Sequence, residues 1–359
     1  MTENNHSLSS MEPTNKKAMI MAILFLIIAI AGLTYVKWWP YYWKAIDAAT
    51  KHSLGASIIT GKNPVAPDPS WQSAWDYALA YYKSVWKAAV LGIMLGSLLQ
   101  VLLPSGWLYK VLGKTSFGST FVGGVAAIPG MMCTCCAAPL AVGLRKKNAS
   151  VGASLAFWLG NPTLNPATLV FMTFVLSWKF TLIRLAFGII LTFGVSYIAN
   201  RFANANDKVP KSLSDAQKAV EVEQARPLLN RWLRSVGAMI LHIVPAYIIS
   251  VLLIGAFRAW LFPAMGETQV AGILLIIGFA VAGMLFVIPT AAEIPIIQTF
   301  MSFGLGTGPA AALLLTLPSV SLPSLLMVSR SFPKKVLLFV AASVVVLGIL
   351  SGIIGALVL

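Results

Sequence analysis

Thr115 to Leu144 is a run of thirty residues without a charge. As one helix, at about 1.5 Å per residue, it would reach about 45 Å, half as long again as the ~30 Å hydrocarbon core of a bilayer. Pro129, Gly130 and Pro139 interrupt it, Lys114 precedes it, and Arg145-Lys146-Lys147 follow. Basic residues at both ends favour entry and exit on one side of a membrane. The pattern predicts a re-entrant hairpin, two half-length helices meeting near the bilayer middle around Cys133. Non-helical backbone survives at that depth only if buried in protein or lining an aqueous cavity.

The rest of the chain has the composition this requires. Of 359 residues 58% are hydrophobic and 10% charged, against about 25% charged in soluble domains. The class is therefore an all-α polytopic membrane protein, with the lipid bilayer as its first partner. The excess of 26 Lys+Arg over 11 Asp+Glu would suggest nucleic acid in a soluble protein. Here the basic residues lie between apolar blocks, as the positive-inside rule expects, and no nucleic-acid partner is predicted. Three cysteines inside one apolar block exclude a secreted disulfide scaffold. No phosphate loop and no His-Glu-x-x-His occur, so neither an ATP-driven pump nor a metalloprotease is indicated. No enzyme activity and no cofactor are predicted.

Ala18–Val36 suits one span. Ala29-Ile30-Ala31 resembles a signal-peptidase site, but an uncleaved first helix is the preferred reading. Six of eleven tryptophans, Trp38, Trp39, Trp43, Trp71, Trp75 and Trp86, fall before residue 87. Such residues settle at headgroup level, which predicts interfacial anchoring helices over 37–83 and a loop around Gly61–Ser70. Further spans are expected at Ala88–Tyr109, Asn148–Trp178 (broken at Asn161-Pro162-Thr163-Leu164-Asn165-Pro166), Leu185–Asn200, Ser235–Phe257, Thr268–Ala292, Ile294–Ser329 (dividing at Gly304–Pro309) and Val336–Leu359. The count is seven full crossings plus two hairpins, or nine spans if the hairpins cross. Lys179, Arg184 and Arg258 are expected to flank spans and snorkel. The division that follows is 1–83, a first helix and aromatic-rich outer segment; 84–200, a first transmembrane repeat; 201–234, a cytoplasmic linker in which Ser214-Asp215-Ala216-Gln217 could cap a short helix; and 235–359, a second repeat.

Spacing supports the duplication. Pro139 and Pro162 lie 23 apart, as do Pro295 and Pro318; at the same offset Gly152 falls on Gly308. Ile128-Pro129 answers Ile288-Pro289 with four extra residues in the first copy, and Asn161–Pro166 answers Leu317–Pro323 with one insertion. With the amino terminus and linker cytoplasmic, the inner segments hold 17 basic residues and the outer ones nine. Arg145-Lys146-Lys147 puts the first hairpin's turn inside, and uncharged Phe303–Gly308 puts the second outside. Inverted repeats with broken helices meeting at midplane are the plan of many secondary transporters.

Met131-Met132-Cys133-Thr134-Cys135-Cys136-Ala137-Ala138-Pro139 is the sharpest local signal. Thiolates are soft ligands suited to Cu(I), zinc and trivalent metalloids. On a continuous helix Cys133 and Cys136 share a face and Cys135 turns away; on an unwound break all three converge. Small buried cysteines also pack well without any chemistry. No fourth Cys or nearby His completes a structural zinc site, so no resident metal is expected. Asn161 and Asn165, beside helix-breaking prolines, and Ser319 and Ser321 in the second copy could satisfy freed backbone groups or line a substrate site. Asn165-Pro166-Ala167 matches the aquaporin triplet, but the second half has no counterpart. Glu293 falls opposite Ala137 in the repeat alignment, and intramembrane acids are usually functional; a coupling role is assigned to it and to His242, which can titrate.

At Cys133-Thr134-Cys135 with Pro139, then Asn161–Pro166, the sequence resembles the bacterial predicted-permease family whose characterised members include organoarsenical efflux permeases. The resemblance covers roughly 84–355 and leaves 1–83 outside; Cys136 is an extra beside the usual pair. It implies a multi-pass inner-membrane permease expelling trivalent methylated arsenicals or related thiophilic compounds. The leading expectation is a secondary transporter for a small thiophilic solute, bound by Cys133, Cys135, Cys136, Asn161, Asn165, Ser319 and Ser321, with Glu293 and His242 coupling. Two alternatives stay open: an intramembrane thiol redox protein pairing Cys133 with Cys135 or with a partner's cysteine, and a passive channel. So does a homo-oligomer.

Overall fold

The computed structural model describes residues 15–61, 63, 65–203, 227–262 and 272–359, with backbone alone at 15–18, 105 and 242. Most of the linker, the Ser214–Gln217 cap, the expected span start at Thr268 and the His242 side chain lie outside the described residues.

Helices dominate. Helix α1 (Asn15–Leu33) runs through a π-helical turn (Thr34–Trp38) into α2 (Trp39–Lys51). Pro40, second in α2, has no N–H to donate back one turn and crowds the carbonyl there, which accounts for the local shift in the ladder. The result is one continuous helix over Met19–Lys51. Helix α3 (Trp71–Leu102) is also long, opened by Ser70, whose side chain accepts from Ser73 N at 3.0 Å. These two rods extend beyond the spans expected at Ala18–Val36 and Ala88–Tyr109, and the described residues around Gly61–Ser70 between them are non-helical. Trp39, Trp43, Trp71, Trp75 and Trp86 do face outward, whereas Trp38 packs inward, and Tyr77, Ala78, Tyr81, Val85 and Ala88 form a buried stripe at helical spacing on α3. Lys83 and Lys87 made this segment look too charged to cross.

The chain continues through α4 (Ser105–Leu112), α5 (Phe117–Ala127), α6 (Thr134–Lys146), α7 (Val151–Thr163), α8 (Pro166–Val175), α9 (Trp178–Ile189) and, after a second π-helical turn, α10 (Ser196–Ala199). Beyond the linker come α11 (Leu228–Ala256), α12 (Arg258–Leu261), α13 (Gly272–Leu285), α14 (Glu293–Ser302), α15 (Thr307–Ser319), α16 (Leu322–Val328) and α17 (Lys334–Val358). Among the described residues six helices are long and apolar enough to cross a membrane, and a seventh span arises if the pair Gly106–Leu112 and Phe117–Gly130, bent by 105°, counts as one. Among the described residues there is no strand, only an isolated bridge between Ser57 and Gly61. The protein is an all-helical, multi-span membrane protein.

Two breaks organise the middle of the molecule. After α5, Ile128–Gly130 forms a 3-10 turn, Met131 takes a left-handed conformation (φ 48°), and α6 starts at Thr134. After α13 the chain is non-helical until Ala291, also left-handed (φ 67°), and α14 starts at Glu293. Left-handed backbone is strained for a side-chain-bearing residue, and the Ile128-Pro129 to Ile288-Pro289 offset places Met131 on Ala291. Helix α3 presses its backbone onto the first break. A Cβ on Gly96 would lie 2.6 Å from the Pro139 carbonyl oxygen, and one on Gly92 would collide with the Cys136 carbonyl.

Candidate functional site

Cys133 is the N-cap of α6 (φ −73°, ψ 165°), so Cys135 and Cys136 fall in its first turn. All three thiols are free and buried. The Cys133 and Cys136 sulfurs lie 3.1 Å apart, while Cys135 turns to the Ser321 hydroxyl at 3.6 Å. Tyr81 and Tyr247 are joined through their hydroxyls at 2.6 Å and, like Cys135, are buried in the same core cluster. The helical arrangement therefore prevails over the convergent one, because helix begins at Thr134. Among the described residues no group of three His, Cys, Asp or Glu side chains is placed to hold a metal ion.

The polar residues at the breaks mostly satisfy backbone. Asn161 Oδ1 accepts from Met132 N at 3.4 Å, and its Nδ2 donates to the Phe157 carbonyl at 2.9 Å. Trp38 Nε1 donates to the Pro129 carbonyl at 2.8 Å. Asn165 caps α8 by accepting from Thr168 N at 3.3 Å. Ser319 donates to the Leu315 carbonyl, and Ser321, the N-cap of α16, has its N–H bound by Ser324 Oγ at 3.0 Å. In a medium without water such partners are what permit a helix to end.

Cys133 and Glu293 line one narrow crevice, together with Thr134, Pro162, Thr168 and Thr290. Its free volume of about 10 Å³ is room for one water molecule. The walls of this crevice do not include Asn161, Asn165, Ser319 or Ser321. Glu293, first residue of α14 and 1% exposed, accepts from Arg184 Nη1 at 2.6 Å. Arg184 is equally buried; its Nη2 donates to the Pro162 carbonyl at 2.7 Å and its Nε to the Thr163 carbonyl at 3.5 Å. One guanidinium thus joins the carbonyl end of α7 to the amino end of α14, each terminus presenting the partial charge that suits its partner. Glu293 Oε2 and the neighbouring Thr168 Oγ1 are buried with no hydrogen-bond partner.

Two basic residues depart from the expected snorkelling. Arg184 is the ion-pair partner just described. Arg258 is buried, with its guanidinium over the Tyr77 ring at 5.5 Å from the centroid. Sequence reasoning also passed over Lys37. Its ammonium donates to Tyr41 Oη and Thr290 Oγ1, each at 3.0 Å, and lies 5.1 Å from the Tyr41 ring centroid. Thr290 in turn lines the same crevice as Cys133. Lys37 borders a second, larger cavity of about 950 Å³ whose wall shares Pro289, Thr290 and Ala291 with the crevice. The missed signal was a charge one turn before an aromatic cluster, in a helix long enough to cross.

A many-helix membrane protein with broken helices meeting at a buried polar centre belongs to the general class of polytopic transport proteins. The model of a family described as predicted permeases matches residues 125–357. The chain is 48% identical over 332 residues to UPF0718 protein YraQ of Escherichia coli K12, covering 92% of this chain and 93% of that one. It is 24% identical over 298 residues to UPF0718 protein MJ0584 of Methanocaldococcus jannaschii, covering 66% and 82%. The chain belongs to this predicted-permease family. The similarity to the Escherichia coli protein reaches well into residues 1–83, which the sequence reading had left outside. No solved structure matches the chain.

Proposed function

We propose that this permease is an inner-membrane secondary transporter for a small thiophilic solute, of which trivalent organoarsenicals are one class. The observation that carries the reading is the Cys133–Cys136 thiol pair, 3.1 Å apart at the start of a broken helix, of which Cys133 lines the crevice that also holds the buried Glu293. Soft thiolates exchange readily with trivalent metalloids. Glu293 supplies charge balance: Arg184 is paired with one carboxylate oxygen, Oε1, while Oε2 is buried without a hydrogen-bond partner in a residue that lines the crevice. His242 is retained as a second coupling residue. Asn161, Asn165, Ser319 and Ser321 hold the breaks in shape around the solute. The division into repeats 84–200 and 235–359 is supported by the two left-handed residues at one offset, Met131 and Ala291. With the amino terminus cytoplasmic, rocking of one repeat against the other alternates access.

The test is transport of phenylarsonous acid into proteoliposomes, with resistance of a gene-deleted strain measured beside it. The wild type should transport, and the variant with Cys133, Cys135 and Cys136 all changed to Ser should lose most flux while remaining monodisperse. Unchanged flux in that variant would overturn the ligand role of the thiols.

A second reading draws on the same pair. Cys133 and Cys136 have the C-x-x-C spacing at a helix start common in thiol redox proteins, in place of the Cys133–Cys135 pairing expected from sequence. Trapping a mixed disulfide between Cys133 and a partner protein would favour it; solute flux in liposomes without any reductant favours transport. Flux that neither saturates nor responds to a proton gradient would point to the passive channel.

A further inference from the structure

The cavity of about 950 Å³ is lined by Lys37, Lys44, Lys51, Lys83 and Lys87 against one carboxylate, Asp47. Asp47 is already bound to Lys51 at 2.6 Å. A wall so one-sided in charge raises the local concentration of anions. The volume is at the upper end of the range of small-molecule sites. Four of these lysines are exposed, but Lys37, where the cavity meets the crevice of Cys133, is only 5% exposed. Its hydrogen-bond partners are the neutral hydroxyls of Tyr41 and Thr290, and among the described residues no carboxylate pairs with it. Burying an ammonium without a counter-charge is strongly unfavourable. An ammonium has three donors and Lys37 uses two, so one is left for a ligand. In the proposed orientation these five lysines are among the nine basic residues of the outer segments. They run against the positive-inside tendency, which a role in solute capture explains.

We propose that the solute is a small oxyanion, gathered by the cavity lysines and bound at the inner end by Lys37. Thr290, which accepts from Lys37 and lines the same crevice as Cys133, places the anionic oxygen and the soft atom of one molecule on one path. This inference deepens the transport reading and rests on it for the path, but its test is binding.

The experiment is calorimetric titration of the purified full-length protein at low ionic strength with sulfate, thiosulfate, phosphate, phenylarsonous acid, which is uncharged near neutrality, and its 4-carboxylate derivative. At least one of the anions should bind saturably, with affinity falling as salt rises. The carboxylated arsenical should bind tighter than the uncharged one. Lys37→Gln should weaken anion binding about tenfold or more, since a charge-assisted hydrogen bond is lost, while Lys37→Arg keeps most of it. If Lys37→Gln is not monodisperse, the double variant Lys44→Gln/Lys87→Gln, at exposed positions, should lower anion affinity a few-fold and flatten its salt dependence. The proposal is overturned if no anion binds, if charge gives no preference between the two arsenicals, or if the lysine variants bind as the wild type does. The triple Cys→Ser variant separates the two claims: it should still bind the inorganic anion, and retained arsenical transport in it would count against the thiols alone.

Discussion

Arg184 and Glu293 make one buried ion pair, and its energetics are asymmetric. Removing one partner leaves an uncompensated charge in a low-dielectric interior, a loss of about 3–5 kcal/mol, whereas replacing both by apolar residues is often tolerated. Glu293→Gln should therefore lower thermal stability in detergent sharply, and Arg184→Met/Glu293→Leu should recover much of it; equal loss in both would contradict the uncompensated charge as the source of the cost. Cys133, Asn161 and Glu293 were legible in the sequence because polar or reactive side chains in an apolar block have few structural reasons to be there. Arg184, Arg258 and Lys37 were not. Charges served as boundary marks between spans, and a basic residue that is itself buried looks the same in a sequence as one that reaches the headgroups. Only the fold shows that Arg184 has four acceptors from three segments around it.

Helix packing sets where the cysteine turn lies. Because Gly92 meets the Cys136 backbone directly, Gly92→Val has no flexible side chain to push aside and should be destabilising by about 1–3 kcal/mol. Gly237→Ala in α11, with open space around its Cβ position, should leave melting temperature nearly unchanged. Helical phase also decides thiol pairing. Mild oxidation should form an intramolecular disulfide in Cys135→Ser but not in Cys136→Ser, read by loss of free thiol in mass spectrometry; the reverse pattern would mean that α6 is unwound at its start. The breaks at Pro129 and Pro162 were readable from proline and glycine. The extent of α3 was not, because Lys83 and Lys87 face a cavity that composition cannot reveal.

At the scale of the molecule, two helix breaks of like design converge on one polar interior. Met131 and Ala291, one on each break, both take left-handed backbone. The contribution of the first eighty residues was less visible, since their tryptophans suggest anchoring while Trp38 bonds the first break and Lys37 reaches Thr290 beside the second. The account turns on water reaching the meeting point of these breaks from one side. The most direct measurement is modification of a variant keeping Cys133 alone (Cys135→Ser/Cys136→Ser) by a small membrane-impermeant methanethiosulfonate in oriented vesicles. The account predicts that Cys133 reacts from the face onto which the lysine cavity opens and is protected by bound solute; no reaction from either face, with ready reaction toward a lipid-soluble reagent, would contradict it.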